Sequence, residues 1–121
     1  MPIQRILVVD DSPVERHLLT ELLTGRGYQV TIATDGAQGI ETARRDQPDL
    51  VLMDVVMPGI NGFQATRSLS RDAATRHIPV ILCTSKNEET DKIWGMRQGA
   101  QDYVTKPIDA RQLLAKIAAL G

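Results

Sequence analysis

The stretch RILVVDDSPVERHLL, Arg5 to Leu19, changes character twice. Ile6 to Val9 is a short apolar run with β-branched residues, too brief for a helix, and it reads as a strand. Asp10 and Asp11 follow side by side. Ser12, Pro13 and Glu15 then give a helix start signal: a hydroxyl cap, a proline suited to the first turn and an acid three residues after the cap. Strand, acidic turn and helix together open a β-α unit. Two adjacent carboxylates at the end of a buried strand repel each other, so a positive partner is expected nearby.

The same alternation runs to the end of the chain. Further short apolar runs are VTIA at 30–33, LVLM at 50–53, VILC at 80–83 and YVT at 103–105. The helical patterns lie between them. The first covers Pro13 to Arg26, with Val14, Leu18 and Leu22 repeating at i, i+4, Leu19 and Leu23 beside them, and Gly27 as its stop. The second covers Ala37 to Gln47, before Pro48. The third covers Gly62 to Arg71, and Gly59 and Gly62 in MPGING read as turn glycines. The fourth covers Glu88 to Gln98, stopped by Gly99, with Ile93 and Met96 expected to face the sheet. Trp94, one residue off that stripe, is either partial core or an exposed anchor for a partner. The last helix follows Asp109, with Leu113, Leu114, Ile117 and Leu120 as its apolar face. Strands apolar on both faces that alternate with helices give a parallel sheet covered on both sides, a doubly wound α/β domain.

Composition narrows the function. The 121 residues fit one domain filling 1–121, with no separate output domain expected. With 14 Lys+Arg and 15 Asp+Glu the net charge is −1, which argues against a nucleic-acid or membrane-surface binder. The single cysteine, Cys83, excludes an internal disulfide and falls in an apolar run. There is no apolar run of membrane-span length and no signal-peptide core, so a cytoplasmic location is expected.

In a doubly wound sheet, function collects at the carboxyl ends of the strands. The residues there are Asp10 and Asp11 after the first strand, Asp54 after the third, Thr84 and Ser85 after the fourth, and Lys106 before Pro107 after the fifth. Three crowded carboxylates call for a cation. Mg²⁺ suits a site of few protein oxygens and several waters. A carboxylate can also act as a nucleophile toward phosphorus, with the metal, lysine and hydroxyl holding the phosphoryl oxygens.

Four segments, ILVVDDS, PDLVLMDVVMPGINGF, PVILCTS and GAQDYVTKP, stand in the order and at the separations of a known family. The chain resembles the receiver domain of two-component response regulators in its single-domain, CheY-like form. MPGINGFQATR and DKIWGMRQGAQDYVTKP resemble in particular the regulators of type IV pilus twitching motility. The resemblance implies a (βα)5 flavodoxin-like sandwich with strand order 2-1-3-4-5. It implies Asp54 as phosphoacceptor and Asp11 as a direct Mg²⁺ ligand, with Asp10 placing the metal and the Val56 carbonyl as a further ligand. Thr84 resembles the switch hydroxyl, Tyr103 the aromatic coupled to it, and Lys106 the lysine that binds a phosphoryl oxygen behind a cis Lys106–Pro107 bond. The implied phosphodonor is a histidine kinase. The implied output is a changed surface of fourth helix, fifth strand and fifth helix, including Trp94 and Tyr103, that binds a downstream protein in pilus motility or a chemotaxis-like pathway. The protein would be a monomer or weak dimer that catalyses only its own phosphoryl transfer and dephosphorylation. Val56 and Lys86, each two residues past Asp54 and Thr84, flank the approach of an attacking water, and an apolar Val56 offers it no orienting group. Slow self-dephosphorylation is therefore expected.

Other functions share parts of this pattern. A flavodoxin-like nucleotide or flavin binder would need phosphate donors in the first loop, where DDSP supplies acids. A Mg²⁺-dependent phosphohydrolase using an aspartyl phosphate would carry a second acid shortly after Asp54, where Val55, Val56 and Met57 stand. A phosphate sink in a phosphorelay and a non-phosphorylated docking module remain as alternative outputs.

Overall fold

The computed structural model of the chain describes residues 2–85 and 89–121. Five strands alternate with five helices: β1 (Arg5–Val9), α1 (Pro13–Thr24), β2 (Gln29–Ala33), α2 (Gly36–Asp46), β3 (Leu50–Asp54), α3 (Gly62–Arg71), β4 (Val80–Thr84), α4 (Glu89–Arg97), β5 (Asp102–Thr105) and α5 (Ala110–Leu120). The strands form one sheet in the order β2-β1-β3-β4-β5, all parallel. Among the described residues no helix is long and apolar enough to cross a membrane.

The strict alternation of side chains along a strand divides the core in two. Leu7, Val9, Val51, Met53, Val80 and Leu82 point to one face, where they meet Ala43, Ala65, Leu69 and Phe63. Ile6, Val8, Leu50, Leu52, Ile81 and Cys83 point to the other, where they meet Leu19, Leu23, Leu113 and Ile117. The central strand β3 is buried at every position. Its neighbours in register, Met53 with Val9 and Asp54 with Cys83, bring the ends of β1, β3 and β4 level.

Helix starts are set by caps. The Ser12 hydroxyl accepts from the Glu15 N–H at 3.3 Å, with Pro13 at the first helical position. Asp35 and Asp109 cap α2 and α5 in the same way. A complete reciprocal box stands at α3, between Asn61 and Gln64.

Four expectations are corrected. Val14 and Leu18 are exposed, at 68% and 58%, and the buried stripe of α1 is Leu19 and Leu23. Two rows of apolar residues lie about 100° apart on that helix, and only one can face the sheet. On α4, Ile93 and Met96 are exposed, and among the described residues of the helix Gly95 is the one buried against the sheet. A Cβ there would stand 2.5 Å from a methyl of Leu82, so the helix rests on the sheet by its backbone. A stripe read from large residues misses such a contact. The outer strand β2 is not apolar on both faces: Thr31 and Ile32 are exposed, as an edge strand allows. α1 ends in a cap at Gly25, and Gly27, at φ 90°, turns the chain beyond it. The expected start of α4 at Glu88 lies outside the described residues.

Candidate phosphoacceptor site

The carboxyl ends of β1, β3, β4 and β5 meet in one crevice. Asp10 and Asp54 are buried, Asp11 is exposed, and each offers a carboxylate oxygen within 4.8 Å of the others. Lys106 reaches in from the end of β5, with Nζ 3.0 Å from Asp54 Oδ1 and 3.4 Å from Asp10 Oδ2. This is the positive partner the adjacent acids required. The Lys106 main-chain N–H donates to the Thr84 carbonyl at 2.7 Å, and the Lys106–Pro107 bond is cis. Thr84 is buried beside this junction.

The chain fixes Asp10 from several sides. Its side chain accepts from the Ser12 N–H at 2.9 Å. Its main-chain N–H donates to the Ala33 carbonyl at 3.1 Å, and its carbonyl accepts from Arg16 Nη1 at 2.9 Å. Arg16 is a contributor that the sequence reading missed. The signal was available: a cation on the first turn of α1, six residues after Asp10. Asp54 is held less fully. Burial pushes its pKa up from 3.8 to about 6; the Lys106 hydrogen bond pulls the other way, while Asp10 and Asp11 add to the rise. Burial alone would lower the Lys106 pKa, but its bond to Asp54 and the surrounding carboxylates raise it overall. Cys83, level with Asp54 on β4, is pushed up to about 12 by burial and is an inert thiol.

The donor set fits a hard divalent cation. It consists of the carboxylate oxygens of Asp10, Asp11 and Asp54, the first and last of which share the Lys106 ammonium, and among the described residues it contains no soft ligand. Val56 is exposed at 62% on the rim next to Asp54. Lys86 lies outside the described residues. Tyr103 is half-buried against the α3 side of the core, with the ammonium groups of Lys92 and Lys116 5.0 Å and 5.5 Å from its ring centre. Lys92, Ile93, Met96, Arg97 and Tyr103 line a shallow pocket of about 410 Å³, and Trp94 beside it is 50% exposed.

Comparison with known proteins agrees with this geometry. Residues 6–118 match the family described as the response regulator receiver domain. The chain is 58% identical to Protein PilH of Pseudomonas aeruginosa over 116 residues, covering 96% of each. It is 47% identical to the response regulator PleD of Caulobacter vibrioides over 96% of this chain, which is 26% of that longer protein. Among solved structures, a chemotaxis response regulator of Vibrio cholerae superposes with a TM-score of 0.91 at 26% identity, covering 98% of this chain and 99% of that one. The receiver domain of a sensor histidine kinase from Pseudomonas aeruginosa, with a magnesium ion coordinated in its active-site cleft, superposes at 0.89 with 32% identity, covering 97% and 96%. The chain belongs to the response regulator receiver domain family, homologous to phosphorylation-activated response regulators.

Proposed function

We propose that the protein is a cytoplasmic signalling switch that accepts a phosphoryl group from a histidine kinase onto Asp54. The observation that carries this reading is the Asp54 carboxylate: buried at the end of the central strand, facing Lys106 at 3.0 Å and grouped with Asp10 and Asp11. Asp11, Asp54 and the Val56 carbonyl would hold Mg²⁺, with Asp10 placing it. When bound, the ion neutralises charge on the phosphoryl oxygens. An Asp54 oxygen attacks phosphorus and forms the acyl phosphate. The bond from phosphorus to the donor imidazole breaks, and its electron pair leaves with the nitrogen, which takes up a proton. The ionised carboxylate is the nucleophile, so a pKa of about 6 leaves most of Asp54 reactive at neutral pH. Lys106, already charged and within reach, binds an oxygen of the transferred group, and the Thr84 hydroxyl turns toward another.

Thr84 and Tyr103 form the coupled element. They lie on adjacent strands, with Leu82 opposite Tyr103 and Thr84 opposite Thr105. Movement at Thr84 reaches the surface of α4, β5 and α5, where Trp94 is the anchor for a downstream protein. The resemblance of MPGINGFQATR and DKIWGMRQGAQDYVTKP to twitching-motility regulators favours type IV pilus motility as the pathway.

Intact mass after incubation with a small acyl phosphate and Mg²⁺ tests the acceptor. One phosphoryl group is expected on the wild type and none on Asp54→Asn or in chelator. A phosphoryl group retained by Asp54→Asn would overturn the assignment. The exposed, apolar Val56 gives an attacking water nothing to bind. The phosphorylated form is therefore expected to persist for minutes or longer, and a lifetime of seconds would contradict that.

A further inference from the structure

The segment that leads from Asp54 to α3 is held at both ends. The Val55 N–H donates to the Cys83 carbonyl at 3.2 Å, and the Val55 carbonyl accepts from the Gly62 N–H at 2.9 Å. Val55 and Met57 are buried, with Val56 exposed between them. Asn61 and Gln64 close their capping box with two bonds of 2.9 Å. Ile60 packs against Gly36 of α2, where a Cβ would stand 2.7 Å from its Cγ1.

The tightest contact is at Gly62. A Cβ there would collide with the Asp54 carbonyl oxygen and stand 2.8 Å from both the Asp54 carbonyl carbon and Val55 Cα. These are main-chain atoms, so no side-chain rotation can make room. Gly62 is therefore not the turn glycine its sequence context suggests, because Gly59, at φ 78°, takes that part. Gly62 is the first residue of α3, and its missing side chain lets the helix press on the backbone of the acceptor residue.

We infer that Gly62 is a positioning residue for the acidic site: the seat of α3 on the Asp54–Val55 backbone sets where the Asp54 carboxylate and Val56 carbonyl stand relative to Asp10 and Asp11. This rests on the reading of the crevice as a Mg²⁺ and phosphoryl site. An added methyl must push the helix and the strand end apart, and a displaced ligand costs metal affinity before it costs the fold.

Calorimetric titration of Mg²⁺ into the unphosphorylated protein tests it, alongside thermal unfolding in chelator. Gly62→Ala is expected to weaken Mg²⁺ binding by about tenfold or more. Leu23→Ala, a cavity in the core at the far end of α1, serves as a destabilised control and should keep its Mg²⁺ affinity within about twofold. If Gly62→Ala does not fold, Gln64→Ala carries the test, because it opens the capping box of the same seat without adding bulk. About a threefold loss is then expected. Mg²⁺ binding undiminished in the folded glycine variant, or in Gln64→Ala where that variant stands in, would overturn the inference, as would an equal loss in Leu23→Ala. A wild type that binds no Mg²⁺ would overturn the reading of the site itself.

Discussion

Asp49 and Asp54 lie five residues apart, one just before β3 and the other at its end. Asp49 closes the amino end of the sheet. Its Oδ2 accepts from the main-chain N–H groups of Gln4 and Arg5, both at 2.9 Å. Those bonds hold its carboxyl below the usual range. Arg5 completes that end by donating to the carbonyls of Asp46 and Gln47. Asp54 closes the carboxyl end and receives one ammonium, which it shares with Asp10. Its carboxyl rises to about 6. One aspartate has its charge answered by the fold. The other is kept buried and, among the described residues, is answered only by an ammonium it shares, which leaves capacity for a ligand.

The sharpest way to break the comparison is to remove both charges and measure urea unfolding at pH 7 in chelator. Asp49→Ala should lower stability by about 1–2 kcal/mol, since two main-chain donors lose a charged partner at a partly solvated site. Asp54→Asn should raise it by about 1–2 kcal/mol, because a carboxylate whose ionisation is opposed by burial is removed. Two losses of equal size would show that both ends are structural.

A smaller effect is the pH dependence. Between its ordinary 3.8 and about 6, Asp54 binds more proton in the folded than in the unfolded chain. Its contribution to stability therefore falls as pH rises through that window. Asp49 acts in the opposite sense, and its contribution is lost as pH falls below the ordinary carboxylate range. In chelator, the wild-type curve should drop relative to Asp54→Asn from pH 4 to pH 6 and run parallel above. Mg²⁺ affinity should climb over the same interval and then level, since protons and metal compete for one carboxylate. Parallel curves throughout would mean that Asp54 is solvated like a surface acid.

The smallest effect belongs to Trp94. With half its surface already in water, Trp94→Ala should cost less than about 1 kcal/mol of stability while weakening binding of the downstream partner by more. Equal losses would return this residue to the core.

The strands and the convergence of Asp10, Asp11, Asp54, Thr84 and Lys106 were legible because each depends on local signals: an apolar run of fixed length, a cap, a polar or charged residue at a strand end. The strand order came from the family resemblance. What escaped depends on neighbours distant in the chain. Nothing in α1 alone says whether Val14 and Leu18 or Leu19 and Leu23 meet the sheet. The glycines were the other blind spot. Gly95 and Gly62 look like weak helix formers, yet each marks a place where a helix touches another segment through its backbone. Arg16 was passed over because a cation on the first turn of α1 was visible but its partner, a main-chain carbonyl, is announced by no residue type.

Lys106 has a consequence in whole charges. Among the described residues, the three carboxylates and the Lys106 ammonium leave a formal charge of −2. A divalent ion brings that to zero, whereas a monovalent ion leaves a deficit and a trivalent ion an excess. An acyl phosphate carries about two negative charges where the Asp54 carboxylate carried one. On the proposed mechanism, phosphorylation of Asp54 would then present Thr84 with one additional unit of negative charge at a buried point of an otherwise balanced site. Such a signal is small enough for the fold to tolerate, and in a medium of low polarisability it is large enough to turn a hydroxyl.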